Sequence, residues 1–358
     1  MNIFFLLLFV IIVLNLVIPS DNQRAHNLGL VFSFALIFIY GALRVNYGSD
    51  YQAYENIYFN INSGMYDNKN NWEIGFIFLN QIVPSYRVLI IVLTLFFCIC
   101  QYILFKKYIP ASYTILSFIL LFLITYYLIG NLTGIRNSVS ICMLILSLPF
   151  LIKRQFIPFI IFIFLGSLFH TSSLFMLPIY FYATPKKWTS KNVVFFIIIL
   201  AGLAIFARTS LGFETLLSLT EGDTFERYQE YLDEESIDIQ LSIFTVIAMI
   251  FAALFIFFTS YFIQKRENTP AQNVILKLSL LFWAVCFFPN IGLSSRFFFY
   301  FAPFLTVSIS IILSKIDFQL RVILTIIVLL FFSARFYNWT QNQKFELYFR
   351  EYHSIITQ

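Results

Sequence analysis

The chain has 358 residues, of which 60% are hydrophobic, 20% aromatic and only 11% charged, and its mean hydropathy is +0.83. Soluble domains carry about 25% charged residues, so this composition excludes a soluble globular enzyme and places the chain in a membrane. No nucleic-acid partner is expected.

Apolar windows of about 17 to 25 residues recur along the whole length, long enough to cross a bilayer as helices. They predict an all-α, polytopic membrane helical bundle of about ten spanning helices, forming a single integral membrane domain over 1–358. The first run has no basic n-region and no small-residue cleavage site, so it reads as a retained first helix. Spans are predicted near 2–18, 28–43, 85–105, 111–129, 136–152, 192–207, 240–263, 275–291, 297–313 and 321–337. The run 156–184 is interrupted by Gly166, His170, Thr171, Ser172 and Pro178. It is long for one helix and short for two, and reads as a broken or re-entrant pair.

Charge placement sets an orientation. With the N-terminus outside, Arg24, Lys106, Lys107, Lys153, Arg154, Lys186, Lys187, Lys191, Lys265, Arg266, Lys277, Lys315 and Arg321 fall inside, facing only Asp21, Glu267 and Asp317, as the positive-inside tendency requires. Lys153 and Arg154 before the awkward run and Lys186 and Lys187 after it must then lie on one side, so the run enters and leaves with His170 near its outer turn. Broken helices at membrane depth are tolerated where protein or a water-filled cavity surrounds them, which argues for a site there.

The outer segments are 44–84, 208–239 and 338–358. The first, RVNYGSDYQAYENIYFNINSGMYDNKNNWE over 44–73, is the first long polar interruption of the apolar pattern. It sets Arg44, Asp50 and Glu73 against the ends of hydrophobic runs, with Tyr47, Tyr51, Tyr54 and Tyr58 between them, a layout that suits an anionic, sugar-bearing substrate at a membrane surface. The second is strongly acidic over 221–238, with Phe225, Tyr228 and Tyr231 on one helical face. The tail carries Phe345, Tyr348, Phe349 and Tyr352, a stripe suited to lying in the membrane interface.

Against the lysine bias, Arg44, Arg87, Arg136, Arg208, Arg227, Arg296, Arg335 and Arg350 fall outside. Snorkelling accounts for Arg87, Arg208 and Arg335. It accounts less well for Arg136, which follows Gly130 and Gly134, and for Arg296, which follows Pro289, Asn290 and Gly292. A guanidinium is a planar fork that meets phosphate oxygens bidentately, and two or three of Arg44, Arg136 and Arg296 converging at one depth would hold a diphosphate. Asp50 and Glu73 are the candidate general bases for a sugar hydroxyl. Their simpler readings are a helix cap and an acid favoured by a helix dipole. The cysteines 98, 100, 142 and 286 sit in apolar runs. No metal spacing or nucleotide loop is present, and neither a metal nor a cofactor is expected.

Several ordered motifs now carry a family resemblance. They are R-x-x-x-G-x-D-x-x-x-Y as Arg44, Gly48, Asp50 and Tyr54, W-E-I-G-F at 72–76, G-x-R-N-S at 134–138, F-H-T-S-S-L at 169–174 and S-R-F-F-F-Y at 295–300. Together, over about 40 to 300, they resemble the EpsG family, bacterial polytopic proteins related in role to the Wzy polymerases of exopolysaccharide, capsule and O-antigen synthesis. The acidic 221–238 segment and the tail fall outside the resemblance.

The resemblance implies a fold GT-C-like in role and a glycosyltransferase at the outer face of the bacterial cytoplasmic membrane. It would move a growing glycan from undecaprenyl diphosphate to an incoming lipid-linked repeat unit, alongside a flippase and a chain-length regulator. In that reaction Arg136 and Arg296, with Arg44, stabilise the departing diphosphate. Asp50, with Glu73 or His170 as alternatives, deprotonates the attacking hydroxyl, and Tyr47, Tyr51, Tyr54 and Tyr58 stack on sugar faces. A polysaccharide ligase using the same donor and a lipid-linked oligosaccharide flippase are the rival readings.

Overall fold

The computed structural model describes residues 2–18, 22–65, 72–124, 127–207, 209, 243–288, 292–341, 343–349 and 351–356. The acidic 221–238 segment with its aromatic face, and Arg208, Arg227, Pro289, Asn290 and Arg350, lie outside the described residues.

The described chain is a helical bundle. Its first part comprises α1 (Asn2–Val17), α2 (Gln23–Leu43), α3 (Tyr51–Asn62), α4 (Ile74–Ile82), α5 (Tyr86–Tyr108), α6 (Thr114–Leu123), α7 (Tyr127–Thr133) and α8 (Ile135–Ile152). There follow α9 (Phe156–Ser167), α10 (Ile179–Tyr182), α11 (Ser190–Phe206), α12 (Ile243–Lys265), α13 (Pro270–Val285), α14 (Gly292–Leu313), α15 (Phe318–Thr340) and α16 (Gln343–Phe349). Six of these helices are long and apolar enough to cross a membrane, seven if α6 and α7 are one bent span, and α1, α9, α11 and α13 include shorter apolar helices. Helix length alone therefore supports fewer full spans than the ten expected.

Start signals at one end of the bundle are explicit. Asn22 caps α2 by accepting from the Arg24 and Ala25 amides. Thr189 and Thr269 form capping boxes with Asn192 and Gln272 at the starts of α11 and α13, and Asp317 caps α15 through the Leu320 amide. Each such side chain satisfies amides that have no partner inside the helix.

Among the six spanning helices, α14 and α8 are the most enclosed. The spanning window of α14 is 83% buried within the protein and that of α8 61%, against 33% for α12 and 22% for α15. Apolar packing is stitched by small hydroxyls, with Ser117 and Ser310 at 2.9 Å and Ser279 and Ser308 at 2.8 Å, short polar contacts that let helix backbones approach closely. Arg136 stands in the first turn of α8 and Arg296 near the start of α14, so the two most buried of these spanning windows belong to helices that each carry a guanidinium toward the N-terminal end.

Two expectations change, and the broken run at 156–184 gains its detail. The span near 111–129 is bent by 56° between α6 and α7, although no Gly or Pro precedes Gly130 there. The run 156–184 becomes α9, a 3-10 turn over Thr171–Met176 and the four-residue α10, a break at the residues that looked disruptive. The tail does not lie apart with its aromatic stripe in lipid. Its strand β2 (His353–Ser354) pairs antiparallel with β1 (Arg44–Val45), the one two-stranded pairing in an otherwise helical description, and the Gly48 amide donates to the Tyr348 carbonyl at 3.1 Å. Phe345 and Phe349 are buried, and Tyr352 stacks on Tyr40 at 4.6 Å.

Candidate active site

Glu73 is the N-cap residue of α4, yet its side chain makes no capping bond. Its carboxylate instead accepts from Arg136 Nη1 at 2.6 Å through Oε2 and from the Thr171 amide at 3.3 Å through Oε1. Three separate elements meet in these two bonds: the start of α4, the start of α8 and the break after α9. To its place at the N-terminus of the α4 dipole Glu73 thus adds a specific ion pair.

Close backbone approach makes the meeting feasible. The amides of Gly75 and Phe76 donate to the Leu168 carbonyl at 2.9 and 3.3 Å. A Cβ at Gly75 would lie 2.7 Å from that oxygen and 2.8 Å from the Leu168 Cβ, so only glycine lets α4 close on the broken segment.

Aromatic rings surround the guanidinium. Arg136 Cζ lies 4.3 Å from the Trp72 ring centroid and 5.7 Å from those of Tyr54 and Phe76, within the range where ring quadrupoles attract a cation. Arg136 Nε also donates to Tyr54 Oη at 3.5 Å. The Arg136 and Glu73 side chains nevertheless keep 17% and 10% exposure, so the pair is reachable. Its charge stands at the N-terminal end of α8, where the helix dipole also favours an anion.

His170, buried at the start of the 3-10 turn, adjoins this pair through Thr171. Its Nδ1 accepts from the Ser172 amide at 3.3 Å and lies 3.0 Å from Ser172 Oγ, which lies 3.1 Å from Tyr300 Oη. Burial first, then the positive charges of Arg296 and Arg136, hold its imidazole well below the usual histidine range. His170, Arg136, Glu73 and Arg296 therefore share one electrostatic neighbourhood, and Tyr300 ties α14 into it.

The other expected residues are placed differently. Arg44 is 2% exposed. It donates to the Gly41 and Leu132 carbonyls and, at 3.1 Å, to Thr94 Oγ1, linking α2, α5 and α7 with no open face for a ligand. Asp50 occupies the N-cap position of α3 without a side-chain capping bond and accepts from Ser49 Oγ at 3.0 Å. It lies close enough to Tyr54 for its charge to bear on that phenol.

The tyrosines are buried rather than offered to solvent. Tyr47 packs against Tyr40, Phe349 and Tyr352, Tyr51 against Tyr86, and Tyr58 donates to the Val83 carbonyl at 3.0 Å. Of the four, Tyr54 alone contacts the Arg136 guanidinium. Trp72, the Thr171 amide, Ser172 and Tyr300 join the site without having been assigned roles from sequence, although all lie inside the motifs quoted above. Among the described residues, no group of three or more His, Cys, Asp or Glu side chains could hold a metal ion.

The constellation draws on all five motif stretches, from Tyr54 to Tyr300, and a family model, that of the EpsG family, matches residues 26–354. The chain belongs to the EpsG family. EpsG proteins are a Wzy-like polymerase family, so this is a membrane protein of polysaccharide biosynthesis of the glycosyltransferase-type polymerase class. The EpsG match also runs through the acidic 221–238 segment and the tail as far as β2, parts that the motif resemblance had left out. No curated protein and no solved structure gives a significant match to the chain.

Proposed function

We propose that this EpsG protein polymerises a glycan by transferring the growing chain from undecaprenyl diphosphate to a hydroxyl of an incoming lipid-linked repeat unit. The active site lies at the outer face of the bacterial cytoplasmic membrane, in a multi-pass bundle of about ten spans that is GT-C-like in role. The observation that carries this reading is the reachable Arg136–Glu73 pair, beside His170, whose ring feels the charges of both Arg296 and Arg136. A diphosphate outcompetes a single carboxylate for a guanidinium fork because it brings more charge and more acceptor oxygens.

Arrival of the donor therefore moves Arg136 from Glu73 to the diphosphate, with Arg296 as the second cation. The freed Glu73 carboxylate is then the general base. The acceptor hydroxyl oxygen bonds to the anomeric carbon, its proton passes to Glu73, and the bond from that carbon to the diphosphate oxygen breaks. The leaving lipid diphosphate carries the electron pair away, stabilised by the two guanidiniums. Asp50 holds the Tyr54 side of the pocket, and Arg44 holds the scaffold.

The test is to incubate the purified protein with synthetic lipid-linked repeat units, with and without a chelator, and to resolve the products by length. A ladder of multiples in both samples supports the reading. Products transferred only to a different acceptor favour a ligase, and unchanged units with movement between leaflets favour a flippase.

A further inference from the structure

His170 looks at first like a candidate base, but its hydrogen bonds say otherwise. A backbone amide can only donate, and the Ser172 amide points at Nδ1 across 3.3 Å. Nδ1 must therefore present its lone pair, and in a neutral imidazole the single ring proton then resides on Nε2. The Ser172 hydroxyl reinforces this arrangement: at 3.0 Å from Nδ1 and 3.1 Å from Tyr300 Oη, it donates to the ring and accepts from the phenol. A relay of protons thus runs from α14 toward Nδ1.

The surroundings oppose a second proton. Arg136 on α8 and Arg296 on α14 both raise the local potential at the ring, and burial adds to their effect. Glu73 at the start of α4 carries the neighbouring negative charge, but it is engaged by Arg136 and by the amide of Thr171. Tyr300 is the remaining titratable group on the ring's hydrogen-bonded side.

We infer that His170 serves the reaction as a neutral hydrogen-bond donor through Nε2–H, directed at an oxygen of the substrate, and that Ser172 and Tyr300 are positioning residues that lock this tautomer. The inference rests on the transfer reaction proposed above for the nature of that oxygen, which belongs to the diphosphate or its glycosidic link. It removes His170 from the possible bases and leaves proton acceptance to a carboxylate.

The chain contains three histidines, so full-length protein labelled with 15N-histidine gives a tractable spectrum, with His26→Gln and His353→Gln used for assignment. The expected result is an unprotonated Nδ1 and a protonated Nε2 for His170 at both pH 6 and pH 8, with Ser172→Ala, which leaves only the Ser172 amide on Nδ1, and Tyr300→Phe weakening that preference without reversing it. In polymerisation assays His170→Ala should lose about 100-fold in rate, the scale of removing one transition-state donor. His170→Gln, which keeps an N–H but cannot act as a base, should retain most of the rate.

Protonated Nδ1, an imidazolium at pH 6, or a His170→Gln variant as inactive as His170→Ala would overturn the inference. The spectroscopic result does not depend on polymer formation. An absent ladder with the tautomer intact would therefore count against the transfer reaction, and a mixed tautomer with a normal ladder against the locked donor.

Discussion

Arg44 and Arg136 begin alike, as arginines beside helix ends in neighbouring parts of one fold, and end in opposite chemical situations. Arg44 is enclosed and donates to two main-chain carbonyls and a threonine hydroxyl, partners that are fixed parts of the fold. Arg136 is partly exposed and paired with one carboxylate under aromatic rings. Carbonyl partners cannot leave without unravelling backbone, whereas a carboxylate can be exchanged for another anion. On the function proposed above, what would distinguish a structural guanidinium from a substrate-binding one is the replaceability of its partner, since both are charged and both stand at element ends.

The strongest way to break this contrast is Arg136→Lys, which keeps the charge and removes the fork. It should cut polymerisation by about 10²–10³-fold, with single lipid-linked units accumulating and the folded yield unchanged. Arg296→Ala should act in the same direction. Normal chain lengths from both variants, read on a glycan gel, would end the assignment.

Glu73→Gln follows in size. Loss of a positioned base costs about 10²–10⁴-fold in turnover, and because glutamine is close in shape, the melting temperature should fall only modestly. A variant with the wild-type initial rate would move the base elsewhere, with Asp50 as the next carboxylate to test.

Arg44→Lys should show the reverse pattern. Buried acceptors left without a donor cost about 1–3 kcal/mol each, so thermal stability and yield should drop while the folded fraction keeps its specific activity. A stable Arg44→Lys protein without activity would place Arg44 in the reaction after all. The smallest effect is expected from Tyr352→Phe. It removes the 2.6 Å bond to the Tyr40 carbonyl that helps dock the tail, worth about 0.5–1.5 kcal/mol in melting measurements and nothing in polymer length.

Much of this was legible in the sequence, and the remainder failed for identifiable reasons. The helical class and most span positions follow from apolar run length, and the break at 166–172 from the polar and glycine residues that cause it. Arg136 stood out because Gly130 and Gly134 precede it, and Arg296 because Pro289, Asn290 and Gly292 do. The Glu73–Arg136 pairing did not, because a separation of 63 positions along the chain carries no distance information.

Tyrosine burial was illegible because the same ring suits a sugar face or an aromatic core, and Tyr47 and Tyr51 took the core. The tail stripe had the same ambiguity, since in a membrane protein an apolar face can meet lipid or protein. The bend between α6 and α7 has only a weak local signal, the β-branched and aromatic run Ile124, Thr125, Tyr126 and Tyr127, with no Gly or Pro to mark it.

The central claim is that Glu73 occupies the seat on Arg136 that a lipid diphosphate takes. The direct test is the affinity of the purified protein for undecaprenyl diphosphate, measured for wild type, Glu73→Gln and Arg136→Lys. If the claim holds, Glu73→Gln binds more tightly than wild type because the competing anion is gone, and Arg136→Lys binds far more weakly. Equal affinities for all three proteins, or weaker binding by Glu73→Gln, would contradict it.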